Sequence, residues 1–332
     1  MSLHPSVAAV RNAVRRGLAD LEPGARLVVA CSGGADSLAL ASATVFVGRE
    51  QGWYVVGATV DHGLQSDSAE RAATVVGQLA SLGVDETVSA RAEVSAPGMG
   101  PEAAARAARY ALLDQVRERF EAEVVLLGHT RDDQAETVLM GLARGSGGRA
   151  IAGMRRAFDH CRRPLLDVSR TDTVTACQVE GLAVWDDPHN ADPSYTRVRV
   201  RQRVLPLLEE ELGPGVADAL ARTADQLRPD MELLDAYADR ALADLGAADG
   251  SPAAGLSIEG LAALADPIRT RVVRLAAVAA GAPAGELFHQ HVLAVDALVT
   301  AWHGQKWVDL PGHLRAVRAD GVLRFEHAEG TA

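Results

Sequence analysis

The residues best suited to chemistry begin at Ser32-Gly33-Gly34-Ala35-Asp36-Ser37, between the apolar run Leu27-Val28-Val29-Ala30-Cys31 and the helix-forming Leu38-Ala39-Leu40-Ala41. An apolar run without polar alternation suits a parallel strand covered on both faces, and paired glycines let the backbone fold closely round a bulky anion. A helix starting just after them turns its free N–H groups and positive dipole end toward that anion. The turn is not a Walker A loop, because no Gly-Lys-Ser/Thr closes it and Asp36 stands where the lysine would. A carboxylate repels phosphates unless a divalent cation bridges the two. The segment therefore predicts a nucleotide held with Mg²⁺ on Asp36 and hydroxyl donors at Ser32 and Ser37.

Two more apolar runs end in polar tips, Trp53–Val60 at Asp61-His62-Gly63 and Glu123–Leu127 at Gly128-His129-Thr130. Ligands of open α/β sheets bind beyond the carboxyl ends of the strands, so the three tips are expected to line one crevice. Asp133 and Glu136 follow at i, i+3 spacing, on one face of a helix whose N-terminus points into that crevice. There they can hold Mg²⁺ or an ammonium group. Acids in a first turn also complement the helix dipole, and Thr130 with Asp133 makes a plausible capping pair. Arg106, Arg109 and Tyr110 fall in the first half of an Ala- and Leu-rich helix after Pro101-Glu102. Arginines at 197, 199, 201 and 203 follow the turn-rich stretch 185–193.

The elements that must position these groups alternate. Strands near 27–31, 53–60, 86–90 and 123–127 are separated by helical stretches near 35–48, 66–82 and 103–120, with a leading helix over 5–21 and another from Asp132. That order predicts an α/β fold with a doubly wound, mostly parallel sheet. A helix is expected over Thr171–Gly181, and a helical connector from Leu205 to about Leu245. Beyond a small-residue linker, Gly246–Gly255, helices near Ile258–Ala280 and Leu287–Trp302 and short strands over Trp307–Gly312 and Leu314–Phe325 suggest a small α+β module. The expected division is 1–212 for the nucleotide-binding domain and 213–332 for the connector and module.

With 332 residues, 48% of them hydrophobic, the chain is long enough for two or three compact units. Cysteines at 31, 161 and 177 form no Cys-x-x-Cys pair, which argues against a disulfide framework or a cysteine-rich metal site and for a reducing compartment. No basic start precedes an apolar core, and no run of about 18 apolar residues occurs, so a cytoplasmic location without membrane spans is expected. A net charge of −11 opposes indiscriminate nucleic-acid binding. Yet Arg144–Arg203 holds eleven arginines against seven acids, a basic band able to meet a polyanion locally.

Ser32–Ser37 resembles the PP-loop, Ser-Gly-Gly-x-Asp-Ser, of N-type ATP pyrophosphatases. Together with Asp61-His62-Gly63, Glu102…Arg106…Arg109-Tyr110, Gly128-His129…Asp133…Glu136-Thr137, Arg163-Pro164-Leu165-Leu166 and Asp187-Pro188…Asn190…Asp192, it resembles the tRNA(Ile)-lysidine synthetase family over roughly residues 25–210. The resemblance implies that ATP adenylylates the wobble cytidine of the CAU anticodon of tRNA(Ile), and that L-lysine then displaces AMP to form lysidine. It also implies Mg²⁺ and a homodimer. It places ATP on Ser32, Gly33, Gly34, Ala35, Asp36, Ser37, Asp61, His62, Gly128 and His129. Catalysis falls to Asp36, Asp133, Glu136 and Arg109, and substrate contacts to Arg106, Arg109, Asp133, Glu136 and Arg201. Val198 departs from the family pattern, which has asparagine there, and the extra C-terminal domain of long members is not expected at this length. A PP-loop tRNA thiolation enzyme is the alternative, although the cysteine spacing suits no sulfur-transfer site. A nucleotide-binding regulatory module without turnover is the other.

Overall fold

The computed structural model describes residues 3–61, 68–91, 101–145, 147–185, 192–246 and 255–328, without the side chains of 101–103 and 105. The chain opens with α1 (Pro5–Gly17), β1 (Arg26–Ala30), α2 (Ala35–Gln51), β2 (Tyr54–Asp61), α3 (Ser68–Leu82), β3 (Glu86–Arg91), α4 (Pro101–Arg119), β4 (Val124–Leu127) and α5 (Arg131–Ala143). This is the alternation that the hydrophobic runs predict. Next come α6 (Gly148–Ile151), β5 (Ala157–Phe158), β6 (Cys161–Arg162), α7 (Arg170–Val179), α8 (Thr196–Arg199), a π-helical turn (Val200–Val204), α9 (Leu205–Leu212) and α10 (Val216–Leu245). Gly213 and Gly215, at φ +91° and +101°, separate α9 from α10 in a conformation that side chains resist. Two compact units result, Met1–Ala143 with Gly153–Ala224 and Arg144–Ala152 with Asp225–Ala332.

The sheet of the first unit runs β3-β2-β1-β4-β6-β5, parallel except for the last pair. From β1 the chain goes outward to β2 and β3, then returns on the other side of β1 at β4. The ends of β1 and β4 thus form the switch point where a doubly wound sheet opens a crevice. Ala30 pairs in register with Ala58 on one side and Leu127 on the other, so β1 and β4 stop level while β2 runs on to Asp61. Leu27 and Val29 face a core with Val10 and Val14 of α1 and Leu38 and Leu40 of α2. Val28 and Ala30 face the opposite core, with Leu113 and Val116 of α4. Burial on both faces is why β1 lacks polar alternation, and each fully buried Leu or Val stabilises the sheet by about 1.5–3 kcal/mol.

The terminal part of the second unit holds β7 (Leu256–Ser257), α11 (Ile258–Ala263), α12 (Asp266–Ala279), α13 (His289–Thr300), β8 (Trp307–Leu310), β9 (Leu314–Ala319) and β10 (Val322–His327). Its antiparallel sheet has the order β7-β10-β9-β8 and packs Leu314, Ala316 and Leu323 against Val295 and Leu298 of α13. The expected α+β character is present, and Asp320-Gly321, at φ +51° and +76°, makes the anticipated two-residue hairpin.

The single helix expected near Ile258–Ala280 is in fact two. Leu264 is extended at ψ 144°, and Pro267, in the first turn of α12, cannot continue a helix from before it. Strands β5, β6 and β7 were not anticipated, since two residues carry no periodicity. Most of the Gly246–Gly255 linker and all of the Glu93–Gly100 loop lie outside the described residues. Among the described residues no helix is long and apolar enough to cross a membrane.

Candidate active site

Gly33 turns the chain at the end of β1 with φ +84°, and a Cβ there would stand 2.9 Å from Val75 Cγ2. Backbone angle and space both demand glycine. The Ser37 hydroxyl stitches the turn, accepting from Ser32 N at 3.1 Å and donating to Gly34 O at 2.9 Å. Gly34 is the N-cap of α2 and has no side-chain capping bond, which leaves the first amides of the helix to an anion. On the other side of the switch point, a Cβ on Gly128 would lie 3.0 Å from the Asp36 carbonyl and from Ser37 Cα. The end of β4 therefore touches the first turn of α2, and two of the three expected tips meet. Asp61 closes β2, buried and in register with Arg91 of β3. His62 and Gly63 lie outside the described residues.

Asp36, Asp133 and Glu136 are drawn together by arginines. Arg170, the first residue of α7, donates Nη2 to Asp133 Oδ1 at 2.7 Å, Nη1 to Glu136 Oε1 at 3.2 Å and Nε to Asp36 Oδ2 at 3.4 Å. Its backbone N–H meets Asp132 Oδ2 at 2.7 Å. Arg201, within the π-helical turn, donates Nε to Glu136 Oε1 at 2.7 Å and Nη2 to Glu136 Oε2 at 3.1 Å and Asp133 Oδ1 at 3.3 Å. The second oxygen of Asp133 accepts from Thr130 N at 2.8 Å and Thr130 Oγ1 at 3.0 Å, so this acid both caps α5 and faces the site. The Thr173 hydroxyl donates to the free oxygen of Asp36. Glu136 is wholly buried, and Arg197 stands 3.9 Å from its Oε2. With Arg197, three guanidiniums stand against the three carboxylates, so the formal charges of the cluster balance.

The environment shifts these groups in different directions. Burial pushes the Asp36 carboxyl up, and Arg170 and Thr173 offset this only in part. Burial would also raise Asp133, but Arg170, the Thr130 amide and Arg201 outweigh it and hold the acid below its usual range. Burial would lower Arg170, yet Asp133, Asp36 and Glu136 together raise it, so it stays charged.

A cationic group lies nearby, built from α4, β6 and the end of β4. Arg163, just after β6, donates Nε to His129 Nδ1 at 3.2 Å and stacks 4.3 Å from the Phe158 ring centre. Both Arg163 and Arg106 reach the Tyr110 hydroxyl, at 3.5 and 3.2 Å. Arg109 has no hydrogen-bonding or ion-pair partner among the described residues, and burial lowers its pKa. None of these three arginines has a carboxylate within ion-pair distance among the described residues. Burial and the Arg163 charge push His129 down to about 3, so its ring is neutral, with Nδ1 accepting from Arg163.

The expected residues thus fall into three groups: the Ser32–Ser37 turn, the acidic cluster of Asp36, Asp133 and Glu136 with Arg201, and the cationic pair Arg106 and Arg109. Arg170, Thr173 and the role of Arg163 were missed. Arg163 sat in a quoted motif without an assigned task, whereas nothing local marks Arg170 or Thr173. The acidic loop residue Asp187 and Asn190 lie outside the described residues, as does the Glu102 side chain. Val198 is buried, so its apolar side chain suits its place. Several arginines of the basic band have internal partners: Arg149 with Asp235, Arg156 with Asp167 and Arg162 with Asp20.

The turn suits a nucleotide, because its glycines leave room for phosphates and α2 presents unbonded amides. Asp36 suits Mg²⁺, which commonly takes one protein carboxylate along with phosphate oxygens. Among the described residues no three His, Cys, Asp or Glu side chains converge as a protein-only cation site.

Residues 7–208 match the PP-loop domain family, and residues 256–324 match the TilS substrate binding domain. The tRNA(Ile)-lysidine synthase of Thermobifida fusca (strain YX) is 54% identical over 319 residues, covering 96% of this chain and 97% of that one. Its counterpart from Streptomyces coelicolor is 49% identical over 352 residues, covering 97% and 99%. Among solved structures, the U34-tRNA thiolase NcsA from Methanococcus maripaludis with its [4Fe-4S] cluster aligns at a TM-score of 0.57 and 17% identity, covering 67% of this chain and 79% of that one. That likeness is one of fold, and the family matches favour the lysidine reading over thiolation. A PP-loop domain, the substrate-binding module that follows it and about half-identical relatives along nearly the whole length lead to one conclusion: this chain belongs to the tRNA(Ile)-lysidine synthase family.

Proposed function

We propose that the chain joins L-lysine to the wobble cytidine of the CAU anticodon of tRNA(Ile), using ATP through an adenylylated cytidine and releasing AMP and pyrophosphate. The observation that carries the assignment of parts is the pairing of a phosphate-sized turn with a buried acidic cluster at the β1/β4 switch point. Ser32, Gly33, Gly34, Ala35 and Ser37 hold the phosphates on backbone amides and hydroxyls, with Asp61, His62, Gly128 and His129 beside the nucleoside. Mg²⁺ held by Asp36 would supply charge neutralisation for the departing pyrophosphate. The neutral His129, with Nδ1 accepting from Arg163, donates a hydrogen bond from Nε2 without adding charge.

Asp133 and Glu136 receive the ammonium group of lysine. Arg201 already covers both Glu136 oxygens, so the ammonium must share or displace that guanidinium. The lysine carboxylate and the phosphates then fall to Arg109 and Arg106, since the first has no counter-ion among the described residues and a guanidinium fork matches a carboxylate. We assign the chemistry to residues 1–212 and tRNA binding to 213–332, in a cytoplasmic homodimer. Mixing protein, ATP, lysine and tRNA tests the reading: AMP and pyrophosphate should appear only when tRNA is present. Release of ADP and orthophosphate, or turnover indifferent to tRNA, would overturn it.

A further inference from the structure

The second unit carries two of the four tryptophans on its surface, Trp302 at 49% and Trp307 at 44% of full exposure. Tryptophan left in water forgoes the gain of burial, so two of them five positions apart call for a partner. They flank the turn between α13 and β8, which Gly304 opens at φ +102° and Trp302 closes by donating Nε1–H to Gln305 O at 3.1 Å. Each ring has an arginine over it. The Arg318 guanidinium lies 4.6 Å from the Trp302 ring centre, and that of Arg315 lies 4.8 Å from Trp307.

Both arginines come from β9 and are pinned from behind, Arg318 Nη1 to Leu298 O at 2.6 Å and Arg315 Nε to Asp309 Oδ1 at 2.8 Å. The register Trp307↔Val317 and Asp309↔Arg315 sets Trp307 and Arg315 on one face of the sheet, while Arg318 shares the other with buried Leu314 and Ala316. The two tryptophans therefore border edge strand β8 from either side. Charge points the same way. Trp302–Arg318 holds Lys306, the chain's single lysine, with Arg315 and Arg318 against Asp309, net +2 in a chain of net −11.

We propose that this edge is a platform for unpaired nucleotides of the tRNA. Bases stack on the faces of Trp302 and Trp307 that the arginines leave open, and Lys306, Arg315 and Arg318 neutralise the adjoining phosphates. The proposal rests on the tRNA reading above and names the surface that serves it. A protein partner or a second copy would favour a patch depleted of charge at its centre, whereas here each ring is bracketed by cations.

The test uses the full chain with Trp302→Ala, Trp307→Ala, the corresponding Phe variants and Lys306→Ala. Readouts are affinity for tRNA(Ile) with a CAU anticodon and for a fully paired RNA, along with ATP affinity and sedimentation. Each Ala variant should bind the tRNA about tenfold more weakly, the loss of one stacked base, while Phe keeps most of the affinity and the paired RNA shows little change. Lys306→Ala should lower the slope of log affinity against log salt by about 0.7–0.9. ATP affinity and sedimentation should match the parent. If both Ala variants bind tRNA within about twofold of a parent that itself binds and makes lysidine, the platform is wrong and the enzymatic reading stands. A parent that binds no tRNA overturns both, and a change of oligomeric state in the Ala variants shows an interface between copies instead.

Discussion

Replacing Arg170 by alanine tests whether the acidic cluster is held as described. The side chain spans three acids, at 2.7 Å from Asp133, 3.2 Å from Glu136 and 3.4 Å from Asp36, and Glu136 has no exposed surface. Removing one partner of a buried ion pair costs about 3–5 kcal/mol, because the remaining charge cannot recover its hydration. Arg201 stays on both Asp133 and Glu136, so the expected loss is smaller, about 2–3 kcal/mol. For a unit of this size that is a fall in melting temperature of about 4–12 °C, read by calorimetry at pH 7. Arg170→Lys keeps the charge but loses the fork, so it should recover part of the stability and little of the turnover. Combining Arg170→Ala with Asp133→Asn should cost less than the sum of the two, with a coupling of about 1–3 kcal/mol. A fall below about 1 °C for Arg170→Ala, with additive double-variant energies, would refute the cluster as the feature that ties α7 to α5.

Three other predictions follow from single contacts. Gly128→Ala forces a methyl to within 3.0 Å of the Asp36 and Ser37 backbone, so it should cost about 1–3 kcal/mol in stability and most of the ATP-dependent turnover, checked by denaturant titration and pyrophosphate release. His129 is held at about 3 against 6.5 for a free histidine, so as pH falls the unfolded chain takes up the proton first. Its contribution is complete above pH 6.5 and is lost between 6.5 and 3, by up to about 1.4 kcal/mol per pH unit; His129→Asn should flatten that part of the stability profile. Glu136→Gln removes the buried acid that two guanidiniums share, so the apparent KM for lysine should rise at least about tenfold, and an unchanged value in a steady-state assay would void the ammonium assignment.

Much of the architecture was legible because its signals are local. The apolar run Leu27–Ala30 names a strand buried on both faces, Gly33-Gly34 names the turn, and Asp320-Gly321 names a hairpin. What escaped reading depends on contacts distant in sequence. Arg170 meets Asp36 across 134 positions, and no periodicity around Ser169-Arg170-Thr171 hints at it. The spacing of Asp133 and Glu136 did place two acids on one helix face. It could not show that Arg201 from the π-helical turn would already occupy them. The break between α11 and α12 had a visible cause in Pro267, which the continuous helical pattern on either side concealed.

The central claim is that lysine itself becomes part of the tRNA. Incubating the full chain with ATP, Mg²⁺, labelled lysine and total tRNA, then digesting to nucleosides, measures substrate, nucleophile and product at once. The account predicts a single labelled nucleoside, cytidine joined to lysine through nitrogen, arising from a tRNA(Ile) with a CAU anticodon and absent when Asp36→Asn replaces the parent. Label found only as lysine esterified to the tRNA 3′ end, or a sulfur-bearing nucleoside without any lysine adduct, would contradict it.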